Sequence, residues 1–111
     1  MKPDSGDQPH WQGHRERLRG KLLERGASAL ADDEILEVLL MAFIPRRDVK
    51  PIAKTLEAKF GSLSGVLAAP VADFAKVDSI GETVAAYLKV VAEQQSRASL
   101  QEIRRREVIS S

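Results

Sequence analysis

Apolar residues recur along this chain at three- and four-residue intervals, the spacing of one helix face. Trp11, Leu18 and Leu22 share a side of a segment predicted to be helical over about 13–25, and Gly26 follows as a helix-ending glycine would. A second helix is predicted to start near Asp32 or Asp33, either of which can serve as its N-cap, with Glu34 adding favourable charge to the first turn. Ile35, Leu36, Val38, Leu39, Leu40, Met41 and Phe43 cover most of its circumference, the pattern of a central, buried helix. Pro45 ends it, residues 44–48 form a turn, and Asp48 can cap a third helix that tolerates Pro51 in its first turn. Ile52, Leu56 and Phe60 repeat every four residues, and Gly61 closes that helix. A short helix follows over about 63–68. Pro70 opens another with Val71, Phe74 and Val77 inward, residues 78–81 make a tight connection, and a last long helix starts at Glu82 with Val84, Leu88 and Val91 inward. Leu100 and Ile103 keep the helical rhythm. The stretch 104–111 begins basic and turns β-prone.

These elements predict an all-α fold, a compact orthogonal bundle of five to six helices with helix-hairpin-helix-like units. The expected core is Leu36, Leu39, Leu40, Phe43, Ile52, Leu56, Phe60, Leu67, Phe74, Ile80, Val84 and Leu88. The expected organisation is a flexible tail over 1–12, a domain over 13–100 and a linker over 101–111.

Composition narrows the functional classes. The 111 residues fit one domain, and 17 Lys plus Arg against 16 Asp plus Glu leave a net charge of +1. No global field draws the chain to nucleic acid or membrane, so any such binding must come from local clusters. Cysteine is absent, which excludes disulfides, thiolate catalysis and cysteine zinc sites. The longest apolar run, 35–44, is interrupted by Glu37 and is about half the ~18–20 residues of a membrane span. The polar first dozen residues lack an apolar signal core, and the expected location is cytoplasmic.

Candidate chemistry lies in three basic or turn segments. Arg46, Arg47 and Lys50 gather at the start of the third helix, where backbone N–H groups also point outward; this is the best electrostatic candidate for a phosphate seat, although Asp48 can compete for the cap. His14, Arg15, Arg17, Arg19, Lys21 and Arg25 make a basic strip on the first helix, diluted by Glu16 and Glu24; such a strip is also what a solvated helix face looks like. Residues 74–88 (FAKVDSIGETVAAYL) resemble a helix-hairpin-helix motif. There, Ile80 is the apolar wedge, Gly81 the second glycine, and the amides of the following helix hold a DNA phosphate. Ser79 stands where that motif has its first glycine, and Asp78 and Glu82 flank the seat with negative charge. Those departures favour reading the hairpin as a compact way to pack two helices. Lys76 lies nearby. Asp78 with Lys76 also invites comparison with helix-hairpin-helix glycosylases, but no shared pocket can be inferred for the pair. His10 and His14 have i, i+4 spacing but no evident third ligand, so no metal site is expected. Trp11 reads as a packing anchor.

Four segments together resemble the N-terminal domain of the bacterial RadC family: GHRERLR at 13–19, residues 33–40, IPRRDVKPIA at 44–53, and FGSL at 60–63. The resemblance covers about 13–100, and I-P-R-R-D-x-K-P-x-A is its most specific part. It implies a helix-hairpin-helix-like domain, historically labelled DNA repair, that precedes a JAB/MPN-type metalloprotease-like domain. The zinc of that second domain would be held by an H-x-H-P pattern and a downstream Asp that no position here matches. This chain is therefore expected to need no cofactor and to be non-catalytic. The expected role is contact with nucleic-acid phosphates through Arg46, Arg47 and Lys50, helped by Arg15, Arg19 and Lys76, with Ile80 and Gly81 as the hairpin contribution. The alternative is a protein-interaction or regulatory domain that docks on the metalloprotease-like half or on another protein.

Overall fold

A computed structural model describes residues 10–110, which form six α-helices and one 3-10 turn; there is no strand among the described residues. The helices are α1 (His10–Arg25), α2 (Asp32–Phe43), α3 (Lys50–Phe60), α4 (Leu63–Ala68), α5 (Val71–Phe74) and α6 (Glu82–Ser110), with the 3-10 turn at Ala27–Ala29. The chain divides into two compact units, one ending at Val66 and the other beginning at Leu67.

In the first unit, α2 packs against both α1 and α3. Helix α1 starts earlier than its apolar spacing suggests, so 10–12, expected in the tail, form its first turn; 1–9 lie outside the described residues. Gly26 ends α1 at φ 83°, its amide donating to the Leu22 carbonyl at 2.8 Å. The N-cap of α2 is Ala31 rather than Asp32 or Asp33. Ala31 has no side chain to cap with. Instead Glu34 reaches back to accept the Ala31 amide at 2.9 Å, half of a capping box, while Lys21 of α1 donates to the same carboxylate at 3.0 Å. The Ala31 amide and then Lys21 hold the Glu34 carboxyl below the usual carboxylate range. Asp32 and Asp33 lie in the first turn, where their charge favours the helix dipole.

The buried face of α2 is Leu36, Glu37, Leu40 and Met41, continued by Ile44. Leu39 and Phe43, expected in the core, are only half-buried, because the inward stripe passes through Glu37 and Met41 instead. Helix α3 buries Ile52, Ala53 and Leu56 and leaves Phe60 half-buried. Gly61 takes a left-handed conformation (φ 89°) and its amide closes α3 on the Glu57 carbonyl at 2.7 Å. Ser62 then opens α4, its hydroxyl accepting the Gly65 amide at 3.0 Å.

In the second unit α5 packs on α6, and the buried side chains include Ala69, Phe74, Val77, Ile80, Ala85 and Leu88. Leu67 and Val84, also expected in the core, are half-buried. Lys89 of α6 donates to the Leu67 and Ala69 carbonyls at 3.1 and 3.0 Å, satisfying backbone acceptors at the end of α4. Helix α6 runs on to Ser110, so the β-prone end is helical over 101–110. Ion pairs one turn apart line the second half of α6, Arg97 with Glu93 and, within 101–110, both Arg105 and Arg106 with Glu102, which support the helix against the β preference of its last residues.

Gly65 supplies a test of the α3–α4 corner. A Cβ there would lie 2.0 Å from the Phe60 carbonyl oxygen, a backbone atom that cannot swing aside. Gly65→Ala is expected to cost about 1–3 kcal/mol, read as a lower midpoint in urea unfolding with little change in slope.

Candidate phosphate-contact turn

The turn between α2 and α3 is built around Arg15. This side chain leaves α1 and is buried, 6% exposed. Its guanidinium donates to three carbonyls: Met41 at 3.3 Å, Ile44 at 2.6 Å and Arg47 at 2.6 Å. The Met41 carbonyl is one of the acceptors that the end of α2 leaves without an intrahelical partner, and a cation there also suits the helix dipole. The guanidinium carbon lies 5.0 Å from the centre of the Trp11 ring, one turn earlier on α1. Trp11 thus serves as a packing anchor, for the guanidinium in particular. Burial lowers the Arg15 pKa from its ordinary value, and repulsion from Arg19 adds to this, opposed by attraction to Asp48. An arginine so placed stays charged.

The consequence is a correction. Arg15 was expected to help contact phosphate, but it is buried and its two terminal nitrogens bond backbone carbonyls inside the fold. Arg46, Arg47 and Lys50 are exposed, as is Arg19 on α1, which borders a shallow surface groove with Leu22, Val38, Met41 and Ala42.

The start of α3 differs from expectation as well. The N-cap is Val49, with no side-chain cap bond, rather than Asp48; Asp48 lies one residue earlier and accepts the Lys50 amide at 3.2 Å, while its other oxygen lies 3.3 Å from His10 Nε2. Pro51 has no N–H, and Ile52 is buried. The helix start therefore presents no row of outward amides, and anion binding at this turn falls to side chains alone.

Lys76, Ile80 and Gly81 lie in the other unit. Ile80 is buried, which suits a wedge but keeps its side chain from any ligand. Lys76 is exposed, 3.9 Å from the Asp73 carboxylate. The left-handed residue of this connection is Ser79 at φ 74°, whereas Gly81 has an ordinary φ and accepts the first α6 bond, from Ala85, at 3.0 Å. An added Cβ at Gly81 would meet nothing within 4 Å, so packing does not demand glycine there. Asp78 and Glu82 are exposed beside it.

A polar feature with no assigned role in the sequence is Glu37. It is 2% exposed on the inward face of α2 and bonded to His14 Nε2 at 2.7 Å. The only hint was a carboxylate interrupting an apolar run. Both histidines of the H-x-x-x-H pattern thus meet a different carboxylate, and no group of three or more metal-ligating residues forms among the described residues.

A model described as UPF0758 N-terminal matches residues 10–86. The chain belongs to the UPF0758 family. A UPF0758 protein of Ruegeria pomeroyi is 44% identical over 98 residues, covering 88% of this chain and 44% of the relative. The UPF0758 domain described here thus spans less than half the length of that relative. No solved structure matches it. No helix among the described residues is long and apolar enough to cross a membrane.

Four substitutions probe these features. His14→Ala leaves the Glu37 carboxylate buried without its partner and is expected to destabilise the UPF0758 domain by about 1–3 kcal/mol; a compensating Glu37→Leu should recover much of that in the same unfolding assay. Ser79→Val places a β-branched side chain at positive φ and is expected to cost about 1–2 kcal/mol, with Ser79→Asn closer to wild type.

Proposed function

We propose that this is a non-catalytic accessory domain that contacts nucleic-acid phosphates through Arg46, Arg47 and Lys50. The observation that carries the reading is a turn tied to the end of α2 by three carbonyl hydrogen bonds from Arg15, with Arg46 and Arg47 exposed on it and Lys50 exposed just beyond it at the start of α3. Arg19 adds to this set from α1. Lys76 and Gly81 form a weaker contribution, since Asp73, Asp78 and Glu82 lie around them. The resemblance to RadC proteins fits a bacterial, cytoplasmic setting and a link to DNA repair, with the hairpin as a helix-hairpin-helix relative and zinc confined to the family's following domain.

Contacts made by side chains to phosphate release counterions and read no sequence. Binding to duplex DNA should therefore weaken as salt rises, with log K falling by roughly 0.9 per log salt for each phosphate engaged. Arg46→Ala with Arg47→Ala should flatten that slope by about 2 and weaken binding alike across sequences. Fluorescence anisotropy with labelled duplexes at several salt concentrations measures both. Affinity indifferent to salt, or a double variant that binds as wild type does, overturns the reading.

A second reading has its own observation. Leu100, Ile103, Val108 and Ile109 of α6 are exposed, the last two at 75% and 69%, and relatives extend well beyond the matched region. Docking on the remainder of the longer protein, the metalloprotease-like half in the RadC resemblance, would cover them. Failure of DNA binding by the wild-type domain favours this second role.

A further inference from the structure

We infer that Arg15 is the positioning residue of the phosphate-contact turn, and that Trp11 sets Arg15 in turn. For its effect on binding the inference rests on the reading above; for its effect on the turn it stands alone. The segment from Ile44 to Asp48 lies between two helices, and its carbonyls at Ile44 and Arg47 converge on one guanidinium from α1. Each bond spans about thirty residues of sequence, with separations of 29 and 32. The conformation of the turn is thus imposed from outside it. Arg46 and Arg47 are exposed on it and Lys50 follows at the start of α3, while its carbonyls at Ile44 and Arg47 are fixed, so movement of Arg15 moves the backbone from which the cationic side chains project.

The Arg15 guanidinium has two further restraints. Trp11 covers it at 5.0 Å, and burial of its unpaired Nε, a cost that the terminal-nitrogen bonds offset, leaves it no other partner to turn to. The donors that do bond are the two terminal nitrogens, which bridge the end of α2 and the turn as a planar fork. A lysine keeps the charge but replaces that fork with one flexible ammonium. Arg15→Lys therefore separates charge from geometry.

Trp11 is the single tryptophan in the chain, so its emission reports directly on the group above it. The test compares wild type, Arg15→Lys and Trp11→Leu, first without DNA. The amide resonances of Arg47, Asp48 and Lys50 should move in Arg15→Lys, along with Trp11 emission, while the melting profile still shows a folded domain. Trp11→Leu, which removes the ring but keeps an apolar contact, should move the same amides by less; it carries the test if Arg15→Lys does not fold. Affinity for a short DNA duplex is then measured. Arg15→Lys should weaken binding roughly threefold to tenfold in the wild-type background. It should weaken it little further when Arg46→Ala and Arg47→Ala are already present.

A merely structural role predicts the same proportional loss in both backgrounds, and that outcome overturns the inference. So do turn resonances that stay at their wild-type positions in a folded Arg15→Lys variant. If the turn moves but wild type binds no DNA, the phosphate reading fails and the positioning role of Arg15 survives, so the two failures are told apart.

Discussion

A buried guanidinium holding backbone carbonyls is the interaction on which the first unit depends. The residues 44–48 cannot form their own regular hydrogen bonds, since Pro45 interrupts them and the end of α2 leaves acceptors unpaired. A buried carbonyl without a donor costs free energy comparable to a lost hydrogen bond. Arg15 meets that demand at three acceptors with one side chain, and its own charge is compensated by those carbonyl dipoles, the Trp11 face and nearby Asp48. The second unit uses a similar device, Lys89 against the Leu67 and Ala69 carbonyls. In both, a long cationic side chain finishes a helix that lacks a local cap of its own.

The pairing of α1 with α2 includes two polar bridges. His14 with Glu37 and Lys21 with Glu34 are spaced seven residues apart on α1 and three on α2, so they form two rungs between the same helices. The inner rung is the costly one, because Glu37 is taken from water almost completely. Apolar packing alone would tolerate several registers of α1 on α2, whereas two matched rungs and the Arg15 fork fit a single one. The first unit thereby fixes the turn from α1, at the cost of burying a carboxylate.

Periodicity made much of this legible. Gly26 and Gly61 ended helices where positive φ was needed, α4 and the start of α6 lie where spacing placed them, and α5 opens directly after Pro70. What periodicity could not supply was direction. Arg15 and Arg19 are one turn apart on the same side of α1 and equivalent as letters, yet one is buried and the other exposed. Only the carbonyls waiting at the end of α2, about thirty residues away, distinguish them. Glu37 was hidden for the same reason: a lone carboxylate in an apolar run reads as an interruption until its histidine is found on another helix. The end of α6 was misread because Val108 and Ile109 favour strands locally, while the ion pairs one turn apart favour the helix.

The same distinction governs what kind of anion contact each unit can make. A helix start binds phosphate well when its amides are open and glycine lets the backbone approach. At α3 those amides are closed by Asp48, Pro51 and burial of Ile52. At α6 the backbone adopts the required left-handed residue, but at Ser79, with Asp78 and Glu82 exposed beside it. One unit therefore has cations without an amide seat, and the other has a tight turn flanked by carboxylates. Phosphate affinity is mainly electrostatic. On that ground the basic turn is the stronger candidate, and a contact made by flexible side chains there would follow a charged backbone without reading its sequence.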